Sequence, residues 1–142
     1  MFQEINIMFS LCSTDYVFDT EKITEYLQLC PTTVHNKGES VALTVKGKRH
    51  EIPMQYKETA WRYETGYIRT ESIMDAAEVF LTVFGEKEKA IRCLCDMYTL
   101  QPEIMFVLFK SERGHYPDMR IDNMFVKFIG NINASINFDI LE

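Results

Sequence analysis

The chain of 142 residues has no hydrophobic run long enough to cross a bilayer; runs such as IMFVLF, Ile104 to Phe109, fall far short of the roughly 20 residues a spanning helix needs. Its first residues, MFQEINIMFS, lack a basic n-region and alternate apolar with polar side chains, so they read as a strand and not as a signal peptide, and a cytoplasmic location is expected. An excess of positive charge is also lacking. Fifteen Lys and Arg against 21 Asp and Glu leave a net charge of −6, which disfavours a duplex nucleic-acid binder, since such proteins use a basic face to displace counterions. There is no Gly-rich phosphate loop, nucleophile elbow or dinucleotide fingerprint. The cysteines at 12, 30, 93 and 95 form no CxxC pair, and without an export signal they are expected to be reduced.

What is present is the composition of an ordinary globular protein, 46% apolar and 25% charged, expected to form one domain over residues 1–142. The charge is uneven. Residues 36–70 hold seven Lys or Arg against four Asp or Glu, so the acidic surplus falls on the two ends and the middle helical region.

Period-two alternation marks a first strand, in which Ile5, Ile7, Phe9 and Leu11 share one face, and a last one, in which Ile136, Phe138 and Ile140 do. All of these are expected in the core, so removing residues 134–142 should unfold the chain. A helix begins at DTEKITEYLQLC, capped by Asp19 or Thr20, with Ile23, Tyr26, Leu27 and Cys30 as its apolar stripe and Pro31 as its stop. Val41 to about Arg69 reads as a hairpin turning at Gly47, followed by a strand in which Trp61, Tyr63, Thr65 and Tyr67 share a face, with an edge or irregular stretch near Pro53. Ser72 caps a long helical region broken after Gly85. Glu103 to Lys110 is apolar on both faces and therefore central in the sheet. The loop SERGHYPD then leads to a final helix capped by Asp118 and ending at Gly130.

A shift of 98 residues lays the first strand and helix on the later strand and final helix, a possible pseudo-repeat of pattern. The expected fold is α+β, a two-layer sandwich of a mostly antiparallel sheet with helices on one face.

The stretch LQLCPTTVHNKG, the lone tryptophan in AWRYETGY and the ending FIGNINASINFDIL, at these spacings, resemble the bacterial domain-of-unknown-function 4279 family over nearly the whole chain. Its markers are Leu27, Leu29, Pro31 and Thr32, the pair Lys37 and Gly38, Trp61 and the closing strand. Residues 41–58 depart from the family's shorter connection and read as a local elaboration. The resemblance implies no activity, substrate or catalytic residue. Some members look like candidates for toxin immunity.

The close spacing of Cys30 and His35 invites a metal or catalytic reading, but a zinc site needs three or four convergent ligands and His50 and His115 lie apart, so the pair reads as a turn. Cys93 and Cys95, two apart on a helix, point to different sides, which disfavours joint ligation or a disulfide. No cofactor, metal or catalytic residue is expected. Three functional classes remain. The first is a non-enzymatic protein-interaction domain, an acidic immunity-type inhibitor of a basic bacterial toxin, binding through Asp15, Asp19, Glu21 and Glu25 or through Glu71, Asp75 and Glu78. The plainer role for each of these carboxylates is a helix cap or a solvated face. The second is a small-ligand-binding or hydrolytic domain with a pocket near Tyr67, Arg113 and His115, and the third a structural homodimer joined through a strand edge.

Overall fold

Ile5, Ile7, Phe9 and Leu11 alternate along β1 (Gln3–Ser13), and none retains any accessible surface. The computed structural model describes residues 3–109 and 113–141, without the side chains of 43–45. Lys110 and the start of the SERGHYPD loop lie outside that set. The main sheet comprises β2 (Thr33–His35), β5 (Thr59–Glu64), β1, β7 (Gln101–Phe109) and β8 (Ser135–Leu141), in that spatial order, while β6 (Ile68–Thr70) pairs with β1. Among the described residues every pairing in this sheet is antiparallel except β7 with β8. The fold is thus the expected α+β arrangement with a mostly antiparallel sheet.

The segment read as an elaboration forms a separate two-stranded sheet, β3 (Ser40–Val45) with β4 (Lys48–Gln55). Its turn requires left-handed backbone at Lys46 (φ 51°) and Gly47 (φ 76°), which Gly47 adopts at no steric cost.

Among the described residues four helices supply the second layer. In α1 (Thr20–Leu27) the Asp19 carboxylate accepts a hydrogen bond from the Glu21 N–H, and in α2 (Ile73–Phe84) the Ser72 hydroxyl accepts from Met74 N–H, so both caps fall where the sequence puts them. At Gly85 a Cβ would stand 2.6 Å from the Leu81 carbonyl oxygen, which is why the break before α3 (Glu88–Tyr98) takes a glycine. The helices cover the β1 face that carries Phe9. There Phe9 meets Phe84 edge-on at 4.8 Å, Phe80 stacks on Phe84 at 4.7 Å, and Phe125 of α4 (Asn123–Ile132) meets Phe106 at 5.7 Å. Each such buried ring contributes about 1.5 to 3 kcal/mol relative to exposure, so this aromatic layer, with the buried Ile and Leu side chains around it, binds the helices to the sheet.

Several expectations are corrected. β8 joins the sheet, but as its edge strand: Phe138 is 45% and Ile140 39% exposed, and Ile136 is half-buried, so the last strand does not carry three buried side chains. The final helix is capped by Asp122, not Asp118, and extends past Gly130 to a left-handed cap at Asn133. An ungapped shift therefore does not superimpose α1 on α4. Cys30 is exposed, because α1 ends at Leu27 with a left-handed Gln28, two residues before the stripe reaches the cysteine. Tyr67 leaves the face of Trp61 and Tyr63, because β5 stops at Glu64 and Gly66 (φ 82°) turns the chain before β6.

Candidate functional site

Around α1 the sequence-predicted carboxylates Asp15, Asp19, Glu21 and Glu25 are all exposed. The helix that carries Glu21 and Glu25, with Asp19 at its cap, is held firmly. Ile23 and Leu27 are buried, the buried Trp61 donates its indole N–H to the Thr24 hydroxyl at 3.0 Å, and the Lys87 ammonium donates to the Leu27 carbonyl at 2.8 Å. Asp19 is occupied as the helix cap. Lys22 lies 3.8 Å from Glu25, but both side chains are well exposed, and such a pair is worth about 0 to 1 kcal/mol.

The second group sits where α2 begins. Asp75 accepts a hydrogen bond from the buried Thr70 hydroxyl, which ties it to the end of β6. The Glu71 carbonyl accepts from Asp118 N–H at 2.7 Å, and the Asp118 carbonyl accepts from Ile73 N–H at 3.0 Å. The segment before α4 is thereby laced to the start of α2, which adds Asp118 and Asp122 beside a shallow cleft also lined by Ser72, Met74 and Arg120. Only Glu78 of this group stands on an outward helix face clear of that junction.

Tyr67, Arg113 and His115 are each exposed. The Tyr67 ring rests 5.5 Å from that of Phe109, and the His115 carbonyl accepts from the buried Gln3 amide at 3.1 Å. A polar cleft lies elsewhere, between α3 and the α4–β8 turn, with Arg92, Asp96, Thr99 and Asn133 in its lining and a volume of about 340 Å³.

Sequence reasoning missed the sheet face opposite the helices. Register pairs Ser10 with both Arg62 and Glu103, and Met105 with Asn137, so these side chains share that face and line a small cleft with Met8. Arg62 Nε donates to the Ser10 hydroxyl at 3.1 Å. Asn6, almost wholly buried, donates to Glu64 and accepts from Gly66 N–H, closing the β5–β6 loop over its end of the face. The cleft measures about 40 Å³, room for little more than one water molecule. Arg62 and Glu64 were legible as facing away from Trp61, but Ser10, Glu103 and Asn137 arrive from three other strands.

At the β2 end of this face the His35 ring stacks on Tyr56 at 3.8 Å, and its Nε2 is buried without a hydrogen-bond partner. Burial, with the nearby Arg62 guanidinium second, lowers the His35 pKa and keeps the ring neutral. Burial, reinforced by Glu103 and Glu58, pushes the Cys12 thiol up to about 12, so it stays protonated and unreactive. Cys95 is likewise raised to about 11 by burial and Asp96. Among the described residues, no three His, Cys, Asp or Glu side chains come together in a way that could hold a metal ion. No helix among them is long and apolar enough to cross a membrane.

A family model described as "Domain of unknown function (DUF4279)" matches residues 3–141. No curated protein and no solved structure matches the chain.

Proposed function

The chain belongs to the DUF4279 family, and on that footing we propose that it is a non-enzymatic protein-interaction domain that offers an acidic surface to a basic protein. The observation that carries this reading is the surface of α1. Over residues 15–27 four carboxylates face solvent against a single lysine: Glu21 and Glu25 on α1, Asp19 at its cap and Asp15 in the loop before it, with the helix fixed to the core by Ile23, Leu27 and the Trp61–Thr24 hydrogen bond. A preorganised acidic surface accelerates association with a cationic one and can occupy a groove built for phosphates. The partner we propose is accordingly a basic bacterial toxin domain that degrades nucleic acid, with this chain as its immunity-type inhibitor. Of the two acidic groups α1 is the better candidate, because Asp75 is committed to Thr70.

The test is a pull-down with the full chain from its native host, followed by association kinetics with the captured protein at two salt concentrations. The on-rate is expected to fall steeply with salt, and to fall again when Glu21→Lys and Glu25→Lys are combined, while Glu78→Lys has less effect. A salt-independent on-rate, or a chain that carries a small molecule and captures no protein, overturns the reading.

A further inference from the structure

β8 is the last strand of the main sheet, and among the described residues no strand pairs with its outer side. Edge strands of this kind are usually blunted by a lysine, a proline or a covering element, because their free N–H and C=O groups can template another strand. β8 (SINFDIL) contains neither lysine nor proline. It leaves Phe138 and Ile140 more than a third exposed on the helix-bearing face, with Phe138 stacked at 5.3 Å on the buried Phe106, so that its ring is held in place as it faces solvent. Asn137 and Asp139 alternate with them on the opposite face, both exposed.

The order of these residues says which partner the edge fits. Ile136-Asn137-Phe138-Asp139-Ile140 reads the same in character from either end. An antiparallel pairing of two identical strands about Phe138 sets Phe138 against Phe138, Ile136 against Ile140, and Asn137 against Asp139, twice over. Apolar side chains then meet apolar ones on one face. On the other, each carboxylate meets an amide that can donate to it, and no like charges stand opposite each other. A shift of two residues one way sets Asp139 against Asp139, and the other way sets Asn137 against Asn137 and leaves Ile140 opposite Ala134, beyond the strand.

We propose that this edge is a self-association surface: two copies of the chain pair β8 with β8 about a twofold axis at Phe138, forming one continuous sheet with both helical layers on the same side. This surface is distinct from the acidic face of α1, and its test is independent of any toxin partner. A seven-residue strand joint with two partly exposed apolar side chains per copy buries less than the ~1,200 to 2,000 Å² typical of stable complexes, so the dimer dissociates within the micromolar range.

The experiment is sedimentation velocity of the full chain from about 1 to 200 μM, a span chosen for an interface of this size. Wild type is expected to shift from monomer to dimer across that span. Asn137→Asp sets carboxylates against Asp139 in both symmetric contacts and should weaken dimerisation roughly three- to tenfold. Asn137→Asp combined with Asp139→Asn restores an amide opposite every carboxylate and should recover the wild-type dissociation constant. Both positions are exposed, so folding is preserved, and far-UV circular dichroism verifies it. A wild-type chain that stays monomeric throughout overturns the proposal and leaves the edge to a strand of another protein. A dimer indifferent to Asn137→Asp overturns it equally, by placing the contact elsewhere.

Discussion

The indole N–H of Trp61, a residue with no accessible surface in β5, donates a 3.0 Å hydrogen bond to the Thr24 hydroxyl on α1. It joins the sheet to the helix that carries the acidic surface. Thr24→Val keeps the shape of the side chain but leaves a buried donor unsatisfied, at a cost of about 1 to 3 kcal/mol. Urea denaturation should show that loss, and fluorescence of the sole tryptophan should shift in the native state. An unchanged midpoint would mean that Ile23, Leu27 and the Lys87 hydrogen bond hold α1 without this bond.

Phe106 and Phe138 stack on each other, yet only Phe106 is fully buried. Phe106→Ala opens a cavity beneath α4 and is expected to cost about 3 to 5 kcal/mol. Phe138→Ala should cost less than half as much. Equal losses in chemical denaturation would show that the edge position is as buried as the central one.

His35 couples stability to pH. Its folded-state pKa lies below the ordinary value of 6.5, so protonation favours the unfolded chain. The associated stability is therefore complete above pH 6.5 and is lost as pH falls through that value towards the folded-state pKa. His35→Phe, which retains an aromatic stack on Tyr56, should flatten the denaturation midpoint between pH 7 and 5 relative to wild type. If the two slopes coincide, His35 is not the group responsible.

The cysteines should separate by reactivity. Cys30 is exposed and should react with a thiol reagent in the native state at neutral pH. Cys12, buried and with its pKa pushed up to about 12, should react only on unfolding. Mass mapping after a short labelling pulse distinguishes the two. The same shift predicts that stability contributed by the neutral Cys12 thiol, whole below pH 9, drains away as pH rises towards 12.

The parts of this fold that depend on neighbours in the chain were legible in the sequence. The period-two apolar face of β1, the caps at Asp19 and Ser72, the break at Gly85, the Gly47 turn and the two-faced β7 each follow from backbone geometry and side-chain chemistry within a few residues. The acidic character around α1 was equally a matter of composition. Long-range pairing decided the rest. Alternation in β8 shows that one face is apolar but cannot say whether anything covers it, and a parallel place beside β7 at the rim of the sheet leaves Phe138 and Ile140 in solvent. Asp118 and Asp122 both suit a helix N-terminus, and the choice fell to Asp122 because the Asp118 backbone is bonded to Glu71 and Ile73. Ser10, Arg62, Glu103 and Asn137 are distant in sequence and meet only because four strands stand in one register, while Asp75, which reads as a surface carboxylate, is drawn to Thr70 by the packing of α2 against β6. A local pattern specifies what a segment can bury or bond, and only the tertiary arrangement supplies the surface it meets.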